Sequence, residues 1–171
     1  STGTTSTGNA AIITLQNGLI FGSTNMTYQT RIYIPILSMN VGDRYSAVFG
    51  FGTVTSGTIT NGAYFEYSTI VSSRWIINTV ANSVATTVVT NSATVVAGTF
   101  IELAIQVTGS SSVNFLINQV SVGTINTTIP TNTTEQFGLI SRITKSSGTT
   151  ARTIEIDYIS LYLNWAAISA R

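Results

Sequence analysis

Six side chains carry all of the chain's acidity: Asp43, Glu66, Glu102, Glu135, Glu155 and Asp157. There is no His and no Cys. Imidazole base catalysis, imidazole ligation, thiolate chemistry and a disulfide framework are therefore excluded. Only "EID" brings two carboxylates together. Glu155 and Asp157, two residues apart on a strand, would share a face at roughly 6–7 Å. That spacing suits the acid pair of a glycoside hydrolase, which flanks a scissile bond. It equally suits two solvated carboxylates paired with Arg142, Lys145 or Arg152. "NVGD" and "EID" offer oxygen atoms but no calcium-ligand loop. Ser is plentiful, yet neither a His nor a G-x-S-x-G turn is present to activate it. "GFG" at 50–52 ends a strand with no helix following to receive a phosphate. No catalytic residue, metal ligand set or cofactor is assigned.

The remaining candidate is "NGAYFEYSTIVSSRW", residues 61–75, with four aromatic rings and two charges. It reads as a hairpin. Matching its apolar residues sets Tyr67 opposite Trp75 and Phe65 opposite Ile77, all facing the core, because a one-residue slip would turn the whole set outward. The reverse face then carries Tyr64, Glu66, Arg74 and Asn78, with Glu66 and Arg74 expected to form a cross-strand ion pair. A ring beside amide and charged groups is the composition of a sugar platform, where the ring stacks and the polar groups read hydroxyls. It is also the composition of a polar rim at a subunit interface. Both readings stay open.

The elements that must position these residues are strands. Charged residues make up only 8% of the 171 residues, against a usual quarter. Thirty Thr and twenty Ser take their place. Thr, Val and Ile are β-branched and fit a pleated surface better than a helix. Short apolar or alternating runs predict strands over 10–15, 28–37, 45–51, 63–67, 74–80, 86–89, 99–107, 112–117, 119–123, 137–143 and 151–163, separated by Gly, Asn and Ser clusters. Pro35, inside one run, predicts an edge or a bulge. The clearest passage is 98–124. There Ile101, Leu103, Ile105 and Val107 share one face, and Val113, Phe115 and Ile117 continue it after a "TGSSS" turn. Two such sheets must bury their apolar faces on each other, which makes an antiparallel β-sandwich. The expected organisation is a flexible lead-in over 1–9 and one domain over 10–171. The chain begins with Ser, as expected of a processed product or a piece of something longer. A net charge of +1, with basic residues scattered singly, gives no footprint for nucleic acid. No apolar run approaches the length of a membrane-spanning helix, and no membrane insertion is expected.

The run "VVAGTFIELAIQVTGSSSVNFLINQVSVGT" resembles the central strands of concanavalin A-like (laminin-G-like) jelly-roll domains. Taken in order, "STGTTSTGNAAI", "RIYIPILSMNVGDRYSAVFGFG", "NGAYFEYS…RW", "VVAGTFIELAIQV" and "KSSGTTARTIEIDYISLYL" resemble a domain of tailed-bacteriophage virion surface proteins (tail fibre, head fibre or decoration). The resemblance implies a jelly roll, a place on the virion surface and no catalytic residue. A low-charge exterior and strand edges that an oligomer would hide predict a homo-oligomer, with a trimer as the family-based expectation. The resemblance also implies other virion proteins as partners. There are two departures. The family's strands before "STGTTSTGNAAI" are absent, so they are either missing from this chain or supplied by another subunit. The turn at Ile117-Asn118-Gln119 lacks the family's Gly. The functional expectation is a non-enzymatic structural module that engages host-surface glycan. The alternatives are a purely structural capsid cement protein and a glycoside hydrolase.

Overall fold

The computed structural model describes residues 1–5, 7–22, 25–38, 42–53 and 57–164, with only the backbone of Asn17 and Ser92. Eleven strands follow one another: β1 (Gly8–Leu19), β2 (Asn25–Tyr33), β3 (Tyr45–Gly52), β4 (Gly62–Ser68), β5 (Ser72–Ala81), β6 (Val84–Thr94), β7 (Phe100–Thr108), β8 (Ser112–Ile117), β9 (Val120–Ile125), β10 (Phe137–Lys145) and β11 (Glu155–Asn164). Each overlaps one predicted run. β2 is the instructive difference. It stops at Tyr33, so Pro35 lies beyond the strand rather than at a bulge within it. Pro has no N–H for the ladder, and the backbone before it is already leaving the sheet.

The strands form two antiparallel sheets, in the orders β1-β10-β3-β4-β5-β6 and β11-β2-β7-β8-β9. This is the jelly-roll sandwich the sequence implies. The meander behaves as its alternation requires. Leu103 pairs with Ile117, Ile105 with Phe115 and Val107 with Val113, all facing inward. Two hairpins turn on two residues with positive φ, Asn82-Ser83 (49° and 67°) and Asn118-Gln119 (49° and 67°). Such type I′ turns match the twist of the flanking strands. Asn tolerates the left-handed region, so the turn at 118–119 closes without a Gly. Asn118 also accepts a hydrogen bond from Glu102 N at 3.0 Å.

The core is aromatic at its centre. Phe65 stands edge-on to Trp75 (5.9 Å) in its own sheet and to Phe115 (5.2 Å) across the sandwich. Phe21, Phe51 and Phe137 form a second group. Buried phenols find partners: Tyr67 accepts from Ser38 N, and Tyr45 donates to Ile36 O. Tyr28 meets Ser141 Oγ between the sheets, and burial pushes its phenol up to about 12.

Within the lead-in expected over 1–9, residues 2 and 3 are tied to the 145–152 region. Thr2 is buried and exchanges hydrogen bonds with the Arg152 backbone, and Gly3 O accepts from the buried Lys145 Nζ. Lys145 also donates to Thr150 O, while Arg152 pairs with Asp43 at 3.1 Å. These cations, expected near Glu155 and Asp157, are occupied holding the chain's start and the 146–152 loop. Buried charges need such partners.

Candidate functional site

The hairpin β4–β5 sits inside the six-stranded sheet, with β3 on one side and β6 on the other. Phe65 pairs with Ile77, as the apolar match predicts. Beyond Glu66, which pairs with Ile76, the ladder slips and Ser68 meets Ser72. Tyr67 and Trp75 therefore leave the regular ladder, yet their rings stay in contact at 6.3 Å in the core.

The outer face of this sheet is recessed. Side chains that point away from the sandwich core are nonetheless covered: Val48, Ile76, Val80 and Ile140 are all buried. Part of the cover comes from the 57–61 segment, which folds back so that Ile59 packs with Val48, Ile140 and Tyr64. Gly62 permits that return. Its φ is +150°, and a Cβ there would lie 2.2 Å from Phe51 O.

Register places the outward groups in two neighbouring rows. One runs Arg142, Val48, Glu66, Ile76 and Val89; the other runs Ile140, Gly50, Tyr64, Asn78 and Thr87. One hydrogen bond runs within the second row and one joins it to the first. Thr87 Oγ1 donates to Asn78 Oδ1 at 2.7 Å, and Asn78 Nδ2 donates to Glu66 Oε2 at 3.4 Å. Arg142 Nη1 donates to Gly57 O at 2.9 Å, which ties the cation to the covering segment. The polar groups come from β10, β4, β5 and β6, and with β3 lying between β10 and β4 they span roughly 19 Å at about 4.8 Å per strand.

Electrostatics give these groups distinct states. Burial pushes the Glu66 carboxyl above its ordinary value, and the Asn78 amide and the Arg142 charge partly offset this. Burial, then the neighbouring Glu66, pushes the Tyr64 phenol up to about 12. Tyr64 thus keeps its proton at neutral pH and remains a donor.

Three of the four sequence candidates, Tyr64, Glu66 and Asn78, come together. Asn78, only 2% exposed, has both ends of its amide engaged and acts as the brace between Glu66 and Thr87. Arg74 is corrected. It lies exposed near the start of β5, opposite Thr94, and among the described residues it forms no ion pair with Glu66. The residue opposite Glu66 is Ile76, and Arg74 lies beyond the slip. The cation that acts on Glu66 is Arg142, from β10. Thr87 and Arg142 were not among the candidates.

The other acidic pair lies exposed on β11, where the ladder with β2 slips between Ile156 and Tyr158. Asp157 binds Arg31 at 3.2 Å at a half-exposed position, rather than Arg142, Lys145 or Arg152. Glu135 is buried, with its carboxylate accepting from Thr131 N, Asn132 N and Asn82 Nδ2. Asp43 accepts from Thr150 and Arg152, and the Thr150 hydrogen bonds, then the Arg152 charge, hold its carboxyl below the ordinary value. Among the described residues no three His, Cys, Asp or Glu side chains cluster.

Several solved structures share this fold at low identity. The carbohydrate-binding module CBM66 from Bacillus subtilis is 10% identical, with a TM-score of 0.53 over 91% of this chain and 81% of that one. The Emp46p carbohydrate recognition domain in its potassium-bound form is 7% identical, with a TM-score of 0.61 over 94% of this chain and 81% of that one. The endo-1,3-beta-glucanase from Streptomyces sioyaensis is 9% identical, with a TM-score of 0.58 over 86% of this chain and 68% of that one. At these identities the likeness establishes the fold alone. Comparison with curated protein sequences returns no match. One family model spans residues 1–157, and the chain belongs to that family, the SO2946-like C-terminal domain.

Proposed function

We propose that this domain is a non-enzymatic carbohydrate-binding module whose recessed outer face, on β3–β6 and β10, contacts glycan. The observation that carries the reading is the braced polar line Thr87–Asn78–Glu66, with Arg142 beyond it and the Tyr64 ring alongside. Sugar recognition needs fixed donors and acceptors next to apolar surface. Glu66 accepts hydroxyls, Tyr64 and Arg142 donate, and the half-buried Tyr64 ring and the exposed Val89 supply apolar surface. Two of the structural neighbours are described as carbohydrate-binding, which supports the reading by analogy of fold. The chemistry favours binding over turnover, because Glu66 is braced by an amide and Asp157 is neutralised by Arg31 on the other sheet.

The setting that goes with this reading is the surface of a bacteriophage particle, where the domain engages host-surface glycan as a homo-oligomer. Its support is the sequence resemblance, together with one structural observation. Edge strand β1 exposes Ile12, Ile13 and Leu15, and edge strand β11 exposes Tyr162 and Leu163. Apolar edges left exposed among the described residues suit a protein that is permanently assembled.

A glycan array followed by titration calorimetry tests the function. Binding is expected, and Arg142→Ala and Glu66→Gln should each weaken it about tenfold while thermal unfolding stays cooperative. The proposal fails if no glycan binds. It also fails if binding persists unchanged in the Glu66→Gln, Arg142→Ala double variant.

A further inference from the structure

The opposite sheet carries a second set of groups. Outward residues of β2, β7 and β8 line a groove of about 300 Å³ that includes Gln29, Glu102, Ala104, Gln106, Leu116 and the turn residue Gln119. The trough has a simple cause. Gln29, Ala104 and Leu116 are cross-strand neighbours in one row, and the shortest side chain sits in the middle. Ala104 is 8% exposed and forms the floor. The volume lies at the small end of the range for ligand clefts, about 300–1,000 Å³.

Glu102 lies at one end and Gln106 at the other. By register Glu102 faces Arg31, the expected partner. Arg31 turns away, pairing with Asp157 and lying over the Phe100 ring at 4.6 Å from its centroid. Among the described residues Glu102 makes no ion pair, and its Oε2 accepts the Tyr158 hydroxyl at 3.1 Å. The groove thus presents a carboxylate acceptor, three amides, of which Gln106 already accepts from Asn114 Nδ2 at 3.4 Å, and an apolar floor. Beside it Tyr162, 60% exposed, stands opposite Thr27 as an accessible ring.

Vicinal hydroxyls complement a carboxylate and amides, and the CH face of a pyranose complements methyl groups and a phenol ring. A carboxylate without a cation repels an anionic ligand. We propose that this groove is a second glycan site, selective for a neutral oligosaccharide, on the face opposite the Glu66 line. The site stands on its own residues and does not depend on the first. If both operate, one domain bridges two chains of a polysaccharide.

Amide NMR titration of the ¹⁵N-labelled protein with cellotetraose, laminaritetraose and mannotetraose, each to millimolar concentration, tests this. At least one should shift the amides of Gln29, Glu102, Ala104 and Gln106, and trigalacturonate should not. Glu102→Gln, which preserves shape, should weaken that binding about tenfold. Ala104→Leu, which fills the trough, should abolish it. Arg142→Ala should leave these shifts unchanged, so failure of the first site is distinguishable from failure of this one. The inference is overturned if none of the neutral tetrasaccharides moves these amides, if trigalacturonate binds there equally well, or if Glu102→Gln binds as the parent does.

Discussion

Asn78→Ala removes the brace of the recessed face, and its cost follows from what each partner can do afterwards. Thr87 is exposed and recovers its hydrogen bond with water, so its share is about 0.5 kcal/mol; the half-buried Glu66 carboxylate loses a donor, at about 1–2 kcal/mol. The total of about 2 kcal/mol predicts a fall in Tm of roughly 4–8 °C for a domain of this size. The cost should also depend on pH. The folded-state pKa of Glu66 is raised, so the folded protein binds that proton more tightly than the unfolded chain does. The associated stability is complete below the ordinary carboxyl value, about 4.3, and is lost as pH rises through the folded value. Losing the Asn78 donor raises the folded value further, so the penalty should be larger at pH 7 than at pH 4. Thermal and urea unfolding at both pH values, with an amide spectrum to confirm the fold, measures this. A fall in Tm below about 2 °C, or equal penalties at the two pH values, would refute the bracing role.

Two further outcomes are expected. Asp43→Asn should destabilise the anchored N-terminus at pH 7, because the carboxyl is held low by its bonds to Thr150, then by the Arg152 charge. That contribution is present above about pH 4 and lost as pH falls through the depressed folded value, so parent and variant should converge in urea unfolding at low pH. Sedimentation at micromolar concentration should show an oligomer, with a trimer expected from the resemblance. Ile12→Ser with Leu15→Ser should dissociate it, and a stable monomer in the parent would sink that reading.

The sequence by itself determined the fold class and much of the pairing. β-branched residues, alternating apolar positions and turn residues are local signals, and each of the eleven runs became a strand. The register of β4–β5 from Phe65 to Ile77 was legible because one face had to be apolar. Thr87 was also within reach: the two-residue turn Asn82-Ser83 sets Asn78 opposite Thr87 by counting outward from it. The ladder slips were not legible. They fall just after Glu66 and at Asp157, and strict alternation has no mark for an extra residue. Nor was the place of Arg142. It reaches Glu66 only because β10, distant in sequence, inserts beside β3, and nothing local in either strand records that neighbour. The anchoring of Thr2, the burial of Lys145 and the turning of Arg31 away from Glu102 share this cause. Hydrophobic pattern dictates which way a side chain faces along its own strand. Only the order of strands within each sheet decides which polar groups meet across it.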